Sequence, residues 1–312
     1  MGETNAMDRS GGKLLLLDTA SLYFRAFYGV PESVRAPDGT PVNAVRGLLD
    51  FIAHLVTVRS PQRLVACMDA DWRPAFRVAL LPSYKRHRLA NAATGAELVP
   101  DALEAQVPII VEVLDALGVA HVGVAGFEAD DVIGTFAARD SGPVEIVTGD
   151  RDLFQLVDDQ RQVRVLYTAR GVGRHEVIDE ATVTAKYGIP GRSYAEFATL
   201  RGDPSDGLPG VPGVGDKSAA TLISRFGDVA AVLAAVDDPS ADLSPTMRHR
   251  LADAADYLSV APGVVRVRTD VPLPDYDDAL PREPRDAAAL VDLSETWNLD
   301  GSLNRVLAAL AR

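Results

Sequence analysis

Four short apolar runs in the first half of the chain are each followed closely by an acidic residue. The runs are residues 14–17, 64–68, 119–124 and 144–147, and the acids are Asp18, Asp69, Glu128 and Asp150. Helical patterns lie between them, at residues 43–58, 98–117 and 128–138. Buried strands that alternate with helices indicate an α/β fold with a mostly parallel central sheet flanked by helices. Ligands bind outside the carboxyl ends of such strands, so the acids are expected to gather there.

The pattern changes after about residue 187, where short helical stretches are separated by glycine and proline. We predict a disordered leader at residues 1–12, an α/β core at 13–190, a helical lobe at 191–260 and a C-terminal strand and helices at 261–312. Within the last part, residues 264–268 are predicted as a strand, and residues 285–311 as helical and packed back on the core.

Composition limits the kind of protein this can be. No apolar stretch is long enough to span a membrane and no secretory signal precedes the first run, so a cytoplasmic protein without membrane contact is expected. The single cysteine, Cys67, lies in an apolar run, which excludes a disulfide framework or a zinc cluster. With a net charge of −13, any nucleic-acid site must be local or must bind cations.

Acidic residues form three clusters, at residues 128–131, 150–152 and 203–206. A carboxylate at a helix N-terminus commonly caps backbone N–H groups, which is the structural alternative for each cluster taken alone. Together with Asp18 and Asp69, however, at least eight carboxylates are predicted at one sheet edge, where they would repel one another unless cations offset them. Carboxylate oxygens favour Mg²⁺ or Mn²⁺, and two such ions about 4 Å apart can hydrolyse phosphodiesters.

Residues 208–220 have the form of a helix-hairpin-helix. The glycines Gly210, Gly213 and Gly215 permit a tight hairpin with exposed amides, and the helix that follows offers its N-terminus, with Lys217 and Ser218, to a phosphate. Such contacts carry no base information, so binding without sequence preference is expected. The alternative is an ordinary turn between two helices.

Residues 72–96, the basic segment, contain no acidic residue but several cations with aromatic side chains between them. Bases can stack on aromatics while phosphates pair with cations, as on single-strand binding surfaces. The alternative is a solvated charged helix face. Tyr84 and Arg86 are predicted to contact DNA. Lys85 and Arg88, three residues apart, would share a face if this part is helical. Arg25 lies seven residues after Asp18, and a helix there would return it to the strand end.

These stretches together resemble the 5′ nuclease family, especially the 5′-3′ exonuclease domain of bacterial DNA polymerase I and the stand-alone bacterial flap endonucleases. The resemblance extends from Lys13 to nearly the end of the chain. The matching stretches are residues 15–18 with Arg25, 68–70, 76–77, 84–88, 126–131, 148–153, 202–206 and 208–211.

The resemblance implies a PIN-like fold with a helical arch at about residues 73–100, which clamps or threads the 5′ strand. It also implies that Asp18, Asp69, Glu128 and Asp130 surround a first metal ion. Asp131, Asp150, Asp152, Asp203 and Asp206 would hold or tune further ions, and the backbone carbonyls of Val211 and Val214 would bind K⁺. The residues assigned to catalysis are Arg25, Arg77, Lys85 and Arg88.

Two positions depart from the family pattern. Thr19 replaces the usual glycine after the first aspartate, and Gly207 replaces the usual asparagine after Asp206. If the missing side chain loosens a neighbouring aspartate, Gly207→Asn would lower the metal concentration needed for activity. The alternative is that the backbone needs glycine at this position.

The predicted function is a structure-specific 5′ nuclease, a flap endonuclease and 5′-3′ exonuclease, that acts in replication or repair as a monomer. Its substrates would be DNA flaps and 5′ ends, including RNA-primed ones. A PIN-type ribonuclease is the enzymatic alternative, but that family usually lacks the hairpin. A non-catalytic protein that binds DNA junctions is the other alternative, which the complete acidic set disfavours.

Overall fold

A six-stranded sheet forms the centre of the part of the chain that the structure, a computed structural model, describes: residues 12–91 and 94–312. Residues 1–11 of the predicted leader lie outside this part. Strands β1 to β8 are Leu14–Asp18, Arg63–Cys67, Leu89–Asn91, Ala96–Glu97, Ala120–Val122, Val144–Thr148, Val163–Tyr167 and Glu176–Ile178. The sheet order is β5-β2-β1-β6-β7-β8, with β8 antiparallel at the edge and the other neighbours parallel. The predicted fold class is confirmed.

Helices cover both faces of this sheet and form the lobe beyond it. In chain order, α1 to α15 are Thr19–Gly29, Asn43–Arg59, Ala75–Leu80, Asp101–Glu104, Val107–Leu117, Ala129–Arg139, Glu180–Tyr187, Tyr194–Arg201, Asp216–Phe226, Val229–Asp237, Pro245–Asp253, Ala255–Val260, Pro262–Val265, Ala287–Trp297 and Asp300–Leu310. Among the described helices, none alone is long and apolar enough to cross a membrane; α9 and α10, bent by 83°, meet that test only as a pair.

Strand β1 explains why the run of four leucines is a strand without polar alternation. Leu14 and Leu16 belong to one hydrophobic core cluster, Leu15 and Leu17 belong to the cluster on the other face, and all four are fully buried. A strand covered on both faces needs apolar residues at every position. The chain passes from β1 to one side, through β2 and β5, and then resumes on the other side at β6. Strands β1 and β6 therefore form the switch point where α/β sheets bind ligands.

The C-terminal helices pack back on the core, as predicted. Leu303, Val306 and Leu310 of α15 belong to the core cluster that also contains much of α2, and the Arg305 guanidinium donates to Asp50 on the surface at 2.8 Å.

Residues 264–268 do not form the predicted strand. Their first two residues end helix α13, and side chains from other elements bind the backbone that follows. Gln155 accepts from Val267 N and donates to Val265 O, while Asp131 accepts from Arg268 N. Because these side chains satisfy the backbone groups, this segment needs no neighbouring strand.

The prediction of a helical arch at residues 73–100 is also wrong. The structure describes this whole range except residues 92 and 93. This segment consists of the short helix α3, a 3₁₀ turn at Arg86–Arg88 and the small antiparallel hairpin of β3 and β4. Pro82 disfavours extension of α3, and Lys85 has a left-handed conformation with φ of 47°. Lys85 and Arg88 therefore do not share a face of one helix.

Candidate active site

An acidic cleft of about 580 Å³ opens at the carboxyl ends of β1 and β6. Its walls come from α1, the start of α6, the basic segment and residues 203–207, which we call the acid loop. Six of the nine predicted metal ligands line it: Asp18, Asp69, Glu128, Asp130, Asp150 and Asp203. The structure thus brings together acids from five separate parts of the chain.

Hydrogen bonds fix the acids at the switch point. The Thr148 hydroxyl, fully buried at the end of β6, donates to Asp18 Oδ2 at 2.6 Å and accepts from Asp150 N at 2.9 Å. Asp18 Oδ1 accepts from Ser21 N at 3.1 Å, and Ser21 Oγ accepts from Gly149 N at 3.0 Å. The ends of β1 and β6 and the start of α1 are therefore held in one network.

Packing these carboxylates together changes their acidity. Burial, with smaller contributions from the charges of Asp69 and Asp150, raises the pKa of Asp18 to about 7. Burial also raises the pKa of Asp130 well above its ordinary value, and the charges of Asp150 and Asp18 add to that effect. A bound cation would favour the charged forms, so this cleft has the electrostatics of a cation site.

The donor set suits a hard divalent ion, because it consists of carboxylates. Within residues 12–91 and 94–312, no three acidic, histidine or cysteine side chains are already close enough to hold one ion. In this part of the chain, two of the six predicted ligands in the cleft contact basic side chains: Glu128 contacts Arg77 and Lys85, and Asp203 contacts Arg201.

Arg77 and Asp131 do not line the cleft, contrary to their predicted catalytic and metal-binding roles. The Arg77 guanidinium donates to both Asp131 oxygens, at 2.6 and 2.7 Å, and to Glu128 Oε2 at 2.6 Å. Arg77 is 2% exposed and Asp131 0%. Burial alone would lower the pKa of Arg77, but its hydrogen bonds to Asp131 and the neighbouring negative charges raise it overall. These residues form a buried ion cluster beneath Glu128.

Removing the cation from this cluster should strongly destabilise the fold. We expect Arg77→Met to lower the free energy of unfolding by about 3–5 kcal/mol, because Asp131 would stay buried without its partner. Arg305→Met is the matched control, since its pair with Asp50 is half exposed and should contribute less than about 1 kcal/mol. Urea unfolding monitors both variants, and equal losses would contradict a structural role for Arg77.

Tyr84 cannot stack on a base as predicted, because it is 4% exposed. Its hydroxyl donates to Glu128 Oε2 at 2.9 Å, and the Lys85 ammonium donates to Glu128 Oε1. Burial alone would lower the pKa of Lys85, but the charges of Glu128, Tyr84, Asp206 and Asp69 together raise it well above its ordinary value. Lys85 therefore reaches the cleft as a cation, with its neighbour Tyr84 below it.

Arg88 also lines the cleft. Its Nη2 donates to Asp206 Oδ1 at 2.9 Å and to Ser205 O at 2.8 Å. Asp206 and Asp152 are largely buried beside the cleft, and burial raises the pKa of both carboxyls. Asp152 N donates to Asp150 Oδ1 at 2.9 Å, so the second acid of that cluster supports the first through its backbone.

Helix α1 returns Arg25 to the end of β6, as its distance from Asp18 predicted. One guanidinium nitrogen lies 3.4 Å from the position that a Cβ atom on Gly149 would occupy. Arg25 Nε is buried and has no hydrogen-bond partner in the described part of the chain. Arg25 therefore stands beside Gly149, next to Asp150 in the chain, although it does not itself line the cleft.

The hairpin has the predicted geometry. Gly210 and Gly213 have φ of 64° and 75°, and α9 begins at Asp216 with no side chain capping its first amides. Lys217 is exposed in that first turn and lines a groove of about 780 Å³ together with Lys186 and Arg225. The hairpin therefore presents unpaired amides and positive charge, the combination that binds phosphate.

Sequence reasoning missed several residues at these sites. Thr148 orients two acids, Glu97 and Tyr167 line the cleft, and Arg250 Nη1 donates to Gly213 O at 3.1 Å. The position of Thr148 at the end of a predicted strand was a usable signal. Glu97 and Arg250 carried none, because each reaches its site only through tertiary contacts that no local pattern marks.

Family profiles cover most of the chain. One described as the 5′-3′ exonuclease N-terminal resolvase-like domain matches residues 13–188, and one described as the 5′-3′ exonuclease C-terminal SAM fold matches residues 189–288.

Named relatives agree with these profiles. A 5′-3′ exonuclease of Streptomyces coelicolor is 66% identical, over 95% of this chain and 99% of its own. A 5′-3′ exonuclease of Mycobacterium tuberculosis is 49% identical, over 95% and 97%. DNA polymerase I of Mycobacterium bovis is 38% identical over 89% of this chain and 30% of the polymerase.

Solved structures support the fold. The bacteriophage T5 D15 protein co-crystallised with metal ions has a TM-score of 0.64 at 18% identity, over 96% of this chain and 99% of its own. Human GEN1 in complex with Holliday junction DNA has a TM-score of 0.61 at 17% identity, over 96% and 71%.

Proposed function

The chain belongs to the 5′-3′ exonuclease family, and from this premise we propose that its acidic cleft hydrolyses phosphodiester bonds at DNA flaps and 5′ ends with divalent cations. One observation carries the proposal: seven carboxylates, six of them predicted metal ligands, meet the cations Lys85 and Arg88 in one cleft at the switch point of the sheet. A purely structural set of helix caps would not converge there.

We propose that Asp18, Asp69, Glu128 and Asp130 hold one Mg²⁺ or Mn²⁺ ion, and that Asp150, Asp152, Asp203 and Asp206 hold or tune another. When bound, such ions make water more acidic and stabilise the charge that develops on the phosphate. We no longer count Asp131 among the metal ligands, because the Arg77 guanidinium donates to both of its carboxylate oxygens. Its role is to keep Arg77, and through it Glu128, in place.

The protein's own side chains would bind and orient the substrate. Lys85 and Arg88 face the cleft, where they can bind the oxygens of the phosphate that is cut, and Arg25 stands near Asp150. The Thr148 hydroxyl fixes the Asp18 carboxylate and the Asp150 backbone relative to each other through two hydrogen bonds. Trp72 lines the cleft and could offer its ring as a surface for an unpaired base.

The duplex part of the substrate would lie on the hairpin, held by the amides of Gly213 and Gly215 and by Lys217 and Ser218. We propose K⁺ at the carbonyls of Val211 and Val214; the Val211 carbonyl already accepts from Val214 N at 2.9 Å and retains a second lone pair.

The proposal keeps RNA-primed 5′ ends as substrates, the cytoplasmic location and the monomeric state expected from the sequence. It also keeps the division into a core at 13–190, a hairpin lobe at 191–260 and a C-terminal part at 261–312.

The proposal is tested by incubating the protein with a 5′-labelled flap duplex, with Mg²⁺, with Mn²⁺ and with EDTA. We expect cleavage near the base of the flap in either metal and none in EDTA. Binding without cleavage would favour a junction-binding protein. Faster cleavage of single-stranded RNA than of the flap would favour a PIN-type ribonuclease.

Lys217→Ala should weaken duplex binding equally on unrelated sequences. Each phosphate contact releases about one counterion, so we expect the slope of log affinity against log salt to fall by about one unit. Fluorescence anisotropy at several salt concentrations measures this slope. Arg282→Ala is the control, because Arg282 is exposed near the amino edge of β2, away from the hairpin. An unchanged slope for Lys217→Ala would place the duplex elsewhere.

A further inference from the structure

We propose that Ser83 and Gly207 are positioning residues that lock the basic segment onto the acid loop and so hold Lys85 and Arg88 at the cleft before DNA arrives. We call the contacts of Ser83, Lys85 and Arg88 with Ser205, Asp206 and Gly207 the latch. Its catalytic meaning rests on the proposed function, whereas its existence can be tested without any nuclease assay.

Four hydrogen bonds form the latch. Ser83 Oγ donates to Gly207 O at 3.0 Å, and Lys85 N donates to Asp206 O at 2.9 Å. Arg88 Nη2 donates to Ser205 O at 2.8 Å and to Asp206 Oδ1 at 2.9 Å. Three of the four acceptors are backbone carbonyls. The latch therefore joins two distant backbone segments and involves more than a side-chain ion pair at the surface.

Gly207 is the residue that permits this close approach. Its φ is +72°, a left-handed conformation that favours glycine, and a Cβ atom there would lie 2.3 Å from Ser83 O. The obstacle is a backbone atom, so no side-chain rotation can relieve it. Any larger residue at position 207 must separate the two segments. Gly207→Asn is therefore expected to break the latch, and the alternative that the backbone needs glycine here is favoured.

The latch also explains how Lys85 and Arg88 reach the cleft without a long helix. Lys85 has a left-handed backbone, and its N–H is bound to Asp206 O at the point where the chain turns. The 3₁₀ turn that follows directs Arg88 to the acid loop, while the Lys85 ammonium reaches Glu128. Cations held in advance where charge develops need no reorganisation during the reaction, which makes them more effective.

Hydrogen exchange of the protein without DNA tests the latch directly. We expect Gly207→Ala to speed exchange of the Lys85 amide and its neighbours at residues 83–91 by about tenfold or more, because local opening becomes easier. Ser83→Ala removes one hydrogen bond and should give a smaller increase, about twofold to tenfold. Gly188→Ala is the control: Gly188 has φ of +74°, but the nearest atom to an added Cβ is 3.9 Å away. It should leave exchange at residues 83–91 unchanged.

A kinetic measurement separates positioning from binding. For Gly207→Ala we expect the single-turnover rate in Mg²⁺ to fall by about 10–100-fold, with flap affinity in Ca²⁺ changed less than about threefold. Wild-type exchange rates in folded Gly207→Ala would overturn the latch. If that variant does not fold, Ser83→Ala decides, and exchange equal to wild type would overturn it. If Gly207→Ala loses exchange protection but the wild-type protein itself cuts no flap, the latch is supported and the proposed function is contradicted.

Discussion

Replacing Asp150 by alanine should reduce cleavage of a flap substrate by about 10³-fold or more, which corresponds to the several kcal/mol that a catalytic cation supplies. Asp150 stands at the switch point, directly after β6, with its backbone held by Thr148. Its charge also raises the pKa of both Asp18 and Asp130. Without Asp150, the cleft loses one of the acids that we propose hold or tune a cation.

Two companion variants make this result interpretable. Asp150→Asn keeps an oxygen that can accept from Asp152 N, so it removes charge with little change in the loop. It should be nearly as inactive as Asp150→Ala. Asp159→Ala removes an exposed carboxylate in the turn before β7, at the opposite end of the sheet, and should cut normally. Single-turnover cleavage measures all three, and titration with Ca²⁺ should show weaker cation binding for both Asp150 variants.

The fold of the Asp150 variants should be intact without metal. Removing one of several packed like charges relieves repulsion, so the free energy of unfolding is expected to stay equal or to rise. Near-normal cleavage by Asp150→Ala, or substantial cleavage by the wild type in EDTA, would reject the cation mechanism. An inactive variant with a lower free energy of unfolding would instead point to a structural role for Asp150.

Lys85→Ala and Arg88→Ala should each slow single-turnover cleavage by about 10²–10³-fold, by analogy with the loss of one preorganised donor at a developing charge. Flap affinity should fall far less, because the hairpin still holds the duplex. Phosphoryl transfer concentrates negative charge on the phosphate oxygens, and cations that meet it there lower the barrier more than they tighten binding. The position of both side chains in the cleft is consistent with this split.

The measurement pairs affinity in Ca²⁺ with rate in Mg²⁺. Arg86→Ala is the control from the same turn, because Arg86 is exposed and does not line the cleft. We expect Arg86→Ala to lower the flap affinity in Ca²⁺ by a larger factor than the single-turnover rate in Mg²⁺. If affinity and rate fall by the same factor in Lys85→Ala and Arg88→Ala, these residues only bind substrate. Lys85→Ala also removes a partner of buried Glu128, so its free energy of unfolding must be measured alongside.

Local pattern predicted the elements that depend on neighbours in sequence. The leucine run of β1 identified a buried strand, and the helix expected directly after the hairpin is α9. The basic segment failed because its conformation depends on the acid loop, a contact between residues 117 to 124 positions apart. No propensity within residues 73–100 encodes the backbone carbonyls that Lys85 and Arg88 bind.

The sequence by itself determined the α/β fold, the sheet edge that collects the acids, and the glycine-containing hairpin before α9, because strand burial, chain direction and glycine conformation are local properties. Only the tertiary structure decided which acids face the cleft. Asp130 and Asp131 are adjacent on α6, but successive helical residues point roughly 100° apart. Asp130 therefore lines the cleft, while Asp131 turns inward to Arg77. That choice depends on how α6 is rotated against α3 and α13, and packing alone sets this rotation.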